Sequence, residues 1–286
     1  MIPRGLSTDQ APSLAVPLQF HAMVPVAFVL GGLTLGLIGA GGLASTWHPM
    51  AIALVHVLTL GALSAAMLGS LYQMAPVVAG QPVPAPRLSH VVAALLPVGV
   101  LAFPVGLALG SRGAVFVGGI ALAGAFGLAL PPIAWALARS TVASDTVRGL
   151  RLGVAAWIVL VLLGLRLAWF HAGGSVPADR VAWLVAHAGL GVFGVVGGLV
   201  AAVSWLVLPM FFLTPALPSR ATRPITLVLG VSPLTAAALA LAGLDARWVA
   251  LALVPAVVAA WGAHPALQLR AIAQRKRRRA DPTLDL

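Results

Sequence analysis

The side chains able to do redox or metal chemistry in this chain are almost entirely its seven histidines. There is no Cys, which removes disulfides, thiolate metal sites and Cys-attached haem. There is no Glu, and the acids are Asp9, Asp145, Asp179, Asp245, Asp281 and Asp285. Imidazole is a ligand for iron, copper and zinc. Two histidines, His56 and His187, fall within long apolar runs, where an ionisable group is costly and is a functional candidate by default. No phosphate loop, Ser-His-Asp set or zinc-protease motif accompanies them, so a hydrolase has no support.

The elements that must hold these histidines are set by composition. Of 286 residues, 60% are apolar and 8% charged, against about a quarter charged in soluble domains. Mean hydropathy is +1.04. Such a chain cannot solvate its own surface, which excludes a disordered chain, a nucleic-acid module and a cytosolic enzyme. The net charge of +11 does not restore the nucleic-acid reading, because the basic residues sit at the ends of apolar runs.

A span needs about 20 mostly apolar residues. Breaks at charges, prolines and glycine clusters predict eight, over residues 21–45, 50–79, 89–110, 113–138, 149–171, 180–212, 224–243 and 247–270. Pro97, Pro104, Pro131, Pro132, Pro233 and Pro255 fall inside spans and are expected to kink them. Residues 1–20 form a cytoplasmic segment with no cleaved-signal pattern. Eight spans put both termini on one side. With the tail Arg275–Arg279 inside, thirteen basic residues lie inside and three (Arg112, Arg180, Arg247) outside, with Arg166 in a span. That positive-inside bias predicts cytoplasmic termini in a bacterial-type inner membrane.

An internal repeat is expected next. The second span reads His56-Val-Leu-Thr-Leu-Gly61, then Gly69-Ser-Leu-Tyr72-Gln73-Met74-Ala-Pro76. The sixth reads His187-Ala-Gly189-Leu-Gly191, then Ser204-Trp205 and Pro209-Met210. Trp47-His48 precedes the second span, and Trp169-Phe170-His171 precedes the sixth. The predicted fold is therefore all-α: eight transmembrane helices as two parallel four-helix repeats. The first repeat covers 21–138 and the second 149–270, with a linker at 139–148 and a basic tail at 271–286.

The repeat sets depth. His56 lies six residues past Met50, about 9 Å along a helix, and His187 seven past Arg180, about 10 Å. Both belong to the outer third of the membrane. At helical spacing Gly191, Gly194, Gly198 and Ala202 share the His187 face, a stripe suited to helix packing or to a flat ring. Arg166, about 8 Å below His171, is either a snorkelling cation or the partner of an anionic group such as a propionate. His48 and His171 are candidates for propionate contacts or a shallow copper site. His21, His90 and His264 share the inner level and form a candidate second metal or haem site, with Met74 or Met210 near.

The string from His56 through Gly69, Tyr72 and Pro76 to Gly80 resembles the second helix of the haem–copper oxidase catalytic subunit. It is also similar to the NnrS group, haem-holding membrane proteins linked to nitric oxide tolerance. The resemblance spans about 25 residues strongly and the sixth span weakly. It implies that His56 is an axial ligand of haem b, and the repeat with its matching depth offers His187 as the second imidazole. The chain lacks a His-His pair, and its single Tyr is Tyr72, so no oxygen-reducing haem–copper centre is expected.

Three functions follow as expectations. The first is a b-type haem protein that transfers electrons or handles a small gas such as nitric oxide or oxygen. If it takes part in catalysis, it does so as an oxidoreductase component. The second is a secondary transporter with a His/Met-lined path for copper, haem or another small solute; no span carries the Asp or Glu that proton- or sodium-coupled carriers usually place there. The third is a non-catalytic assembly or scaffold subunit. The expected partners are haem, membrane lipids and a redox partner or gas, with homo-oligomerisation left open and nucleic acid excluded.

Overall fold

A computed structural model describes residues 6–276, so Arg4 and the basic tail beyond Lys276 lie outside the described residues. Eight helices are long and apolar enough to cross a membrane: α1 Ala15–Gly39, α2 Pro49–Ala79, α3 Leu88–Leu109, α4 Arg112–Arg139, α5 Asp145–His171, α6 Arg180–Phe212, α7 Ser219–Leu241 and α8 Ala246–Ala273. No strand occurs among the described residues. Seven of the eight match the predicted spans to within a few residues. The exception is α1, which starts at Ala15 rather than 21 and ends at Gly39 rather than 45. Pro17 is tolerated because it sits in the first turn, where its missing N–H has no helical partner. Gly39 leaves helical geometry at φ 64°, a region an L side chain rarely occupies.

The chain divides into two compact units. The first comprises residues 1–142 and 161–177, the second 143–160 and 178–286, so α5 contributes its first part to the second unit and its last part to the first.

In the first unit, α3 and α4 pack along their whole length because glycines let the backbones touch. A Cβ on Gly118 would fall 2.4 Å from the Phe103 nitrogen, and one on Gly106 would fall 2.5 Å from that of Val115. Such close approach is the main packing device available inside lipid, which is as apolar as leucine and gives no hydrophobic drive between helices. Gly69 plays the same part on α2, where Pro17 and His21 of α1 press against it. Phe20 stacks on Tyr72 with ring centroids 5.5 Å apart. The deepest side chains include Phe20, Leu68, Leu96, Leu130 and Ile133. The outward faces carry large apolar groups such as Phe28, Leu37 and Phe116. In water they would form an aggregating patch; in a bilayer they are the solvated face.

In the second unit, Gly149 and Gly153 of α5 seat Ala202 and Leu199 of α6, and Gly189 seats Leu253 of α8. Trp205, Ile225, Leu229 and Ala259 form part of its core. Among the described residues of this unit the acids stand at helix starts, where the positive end of the helix dipole stabilises them. The Asp179 carboxylate caps α6 through the Ala182 N–H (2.9 Å) and also accepts the Ala246 N–H at the start of α8 (3.2 Å). Asp145, the first residue of α5, contacts Arg148, accepts the Thr222 hydroxyl at 2.6 Å and pairs with Arg223 at 3.6 Å.

Three helices are not α-helical throughout. π-helical stretches run over Val57–Leu63 in α2, Leu190–Gly197 in α6 and Ala259–Ala263 in α8. π segments are rare and cluster at functional sites. Those in α2 and α6 begin one residue after His56 and three after His187.

Candidate functional site

His56 is the last α-helical residue before the π stretch of α2. Its Nδ1 lies 2.8 Å from the Ile52 carbonyl oxygen. A carbonyl can only accept, so Nδ1 carries the proton and the ring's lone pair is on Nε2. A second contact turns the ring: Phe103 of α3 meets it edge-on at 5.2 Å and 70°. Downstream the π turn is reinforced by hydroxyls. Thr59 donates to the Val55 carbonyl (2.7 Å), and Ser64 donates to the Thr59 carbonyl five residues back (2.8 Å). A backbone-held Nδ1–H is the usual arrangement behind a metal-binding imidazole, because it fixes the tautomer and raises ligand basicity.

Around His56 in the first unit, the other predicted residues have separate duties. His171 at the end of α5 is exposed and makes an edge contact with Phe170 at 5.0 Å. His48 is the N-cap of α2, its Nδ1 accepting the Met50 N–H at 3.3 Å. That bond places its ring proton on Nε2, so capping and metal ligation through either nitrogen compete. Arg166 donates to the Ser175 carbonyl (2.9 Å) and to the Ser175 hydroxyl (3.3 Å). It therefore ties down the loop that follows α5.

In the second unit His187 is half-buried on α6, in the turn before its π stretch. Gly194 is a helix-packing glycine, since a Cβ there would come 3.0 Å from the Ala156 Cβ and 3.4 Å from Pro233. Gly191 and Gly198 have more room: the nearest atoms to an added Cβ are Leu160 at 3.8 Å and the helix's own Phe193 carbonyl at 3.7 Å.

The three inner-level histidines have different surroundings. In the first unit His90 Nδ1 lies 2.9 Å from the Gln19 side-chain oxygen, and His21 packs on Gly69. In the second unit His264 Nε2 lies 2.9 Å from the Ser204 hydroxyl, which also accepts from Gln268 at 2.9 Å and donates to the Ala201 carbonyl at 2.7 Å. Trp205 meets the His264 ring edge-on at 5.0 Å and donates to Thr226 at 3.0 Å. Among the described residues no three His, Cys, Asp or Glu side chains gather as a metal-binding group.

The residues that sequence reasoning passed over are the partners: Ile52, Phe103, Ser204, Gln268 and the Thr222–Thr226 pair. Hydroxyl and amide side chains inside apolar spans, four residues apart in the threonine case, are the signal that could have found the last four.

These features define a multi-pass, all-helical membrane protein. The chain matches no protein-family model, no curated protein and no solved structure.

Proposed function

We propose that the protein is a membrane-embedded b-type haem protein that transfers electrons or handles a small gas such as nitric oxide or oxygen. His56 and His187 are the candidate iron ligands. The observation that carries this reading is the His56 tautomer: the Ile52 carbonyl holds the Nδ1 proton and leaves the ligating lone pair on Nε2. The start of a π stretch within three residues of both His56 and His187 supports the parallel four-plus-four repeat, for which a pattern of residue types alone was the first argument.

The residues present suit such a group. Neutral imidazole is a haem ligand, a Cβ at Gly191 or Gly198 would meet its nearest atom only at ordinary contact distance, and Arg166 places a positive charge near the loop end of α5, where it holds Ser175. Bound haem would supply one-electron and diatomic-gas chemistry. The chain's own contribution is to fix ring tautomer and orientation, exclude water with apolar helices and place a positive charge. The orientation with both termini cytoplasmic, in a bacterial-type inner membrane, rests on the arginine distribution.

The test is an optical spectrum of detergent-purified protein from haem-sufficient cells, oxidised and dithionite-reduced. Sharp reduced haem bands are expected in the wild type, and loss or a high-spin shift in His56→Ala and in His187→Ala. A colourless wild type would sink the haem reading, and unchanged bands in either variant would remove that histidine as a ligand.

A further inference from the structure

An apolar groove of about 140 Å³ runs along the first unit between the start of α4 and the end of α5. Val115, Phe116, Gly119 and Ala123 form one wall, and Leu165 and Trp169 lie on the other. From Val115 to Ala123 it follows about 12 Å of helix, a little under half the hydrocarbon thickness of a bilayer. A site of this volume holds a guest of about six carbons: an apolar cavity of about 150 Å³ takes up benzene.

The mouth of the groove is cationic. Arg112 opens α4 one turn before Val115, and its side chain lies over Gly173, the second residue after α5. A Cβ on Gly173 would meet Arg112 Cδ at 3.4 Å and Nη1 at 3.5 Å. The guanidinium thus bridges the two groove walls at their loop end. No carboxylate lies within ion-pair distance of it among the described residues. The α4 N-terminus beneath adds the positive end of a 28-residue helix.

We propose that this groove binds an anionic phospholipid, one acyl chain lying between α4 and α5 and the phosphate on Arg112. The chemistry selects that occupant. The wall is apolar and belongs to membrane-spanning helices, which calls for a chain. The cation stands at the loop end of two spans, with no carboxylate within ion-pair distance among the described residues, which calls for an anion joined to that chain. Gly119 leaves the α4 wall open: an added Cβ there meets no protein atom within 4 Å, and this is the space assigned to the acyl chain.

The experiment exchanges the protein into bilayer discs of equal phosphatidylglycerol and phosphatidylcholine with the same chains, then counts retained lipids by native mass spectrometry. Wild type should retain phosphatidylglycerol about fivefold over phosphatidylcholine, the ratio that corresponds to about 1 kcal/mol for one arginine at the headgroup level. Arg112→Gln should keep a lipid but lose the preference. Gly119→Leu should retain one lipid fewer. Inorganic phosphate at millimolar concentration should not displace the lipid, since it has no chain. Full retention in Gly119→Leu, or an undiminished preference in Arg112→Gln, overturns the proposal. A check independent of those variants uses bromine-labelled phosphatidylglycerol: its quenching of wild-type fluorescence should fall in Trp169→Phe, and an unchanged quench is equally fatal.

Discussion

Gly118 and Gly119 are neighbours on α4, yet alanine at the two positions should act in opposite directions. At Gly118 the new methyl would stand 2.4 Å from the Phe103 nitrogen and 2.7 Å from its Cα, and both belong to the α3 backbone. Carbon contacts sit near 3.5–4.0 Å, so the two helices must part by about 1 Å. Overpacking of this kind costs about 1–3 kcal/mol, and a backbone obstacle puts it high in that range. Replacing a helical glycine by alanine recovers at most about 1 kcal/mol. The net expectation for Gly118→Ala is a loss of about 1–2 kcal/mol, a factor of about 5–30 in the folded-to-unfolded ratio. At Gly119 the methyl meets nothing within 4 Å, so Gly119→Ala should gain about 0.4–1 kcal/mol. Unfolding both variants by sodium dodecyl sulfate titration at fixed lipid content, followed by tryptophan fluorescence, measures the difference. Equal midpoints, or a Gly118→Ala protein as stable as wild type, would refute the close α3–α4 packing.

Two further outcomes follow from the polar contacts of the second unit. Asp145→Asn keeps an oxygen for the Thr222 hydroxyl but removes the charge facing Arg148 and Arg223. The arginines are about one-third and one-half exposed, so a modest loss of about 1–2 kcal/mol is expected in the same titration, and an unchanged midpoint would mean the cluster contributes nothing. Ser204→Ala removes the oxygen shared by His264 and Gln268. It should cost about 1–3 kcal/mol as the buried Gln268 and the half-buried His264 lose their partner, whereas Ser204→Thr, which keeps the hydroxyl, should recover most of that; equal midpoints for the two variants would refute the network.

What could be read before any fold was known depended on local physics. Charges are costly inside hydrocarbon, so Arg112, Arg139, Asp145, Arg180 and Asp245 mark helix ends as plainly in the sequence as in the structure. The depth of His56 within its helix followed from the 1.5 Å rise alone. The roles of its neighbours did not. His48, His171 and Arg166 looked alike as polar groups at a membrane edge. One proves to be a helix cap, one an exposed ring against Phe170, and one a loop clamp on Ser175. Those distinctions depend on which backbone group each atom meets, and residue type carries no record of that.

The amino-acid order by itself determined the solvent this protein is built for and the number of its spans, because transfer of apolar side chains into lipid is summed residue by residue. Tertiary structure alone decided three things. It placed π turns beside His56 and His187, in stretches made mostly of Val, Leu, Gly and Ala whose composition does not announce an i→i+5 bond. It divided the glycines between packing, as at Gly118 and Gly194, and open space, as at Gly119. And it closed the hydrogen bonds of Ser204 with His264, 60 residues away in the chain. In each case the deciding contact comes from another helix or from the geometry of the whole turn, and both exist only once the helices have packed.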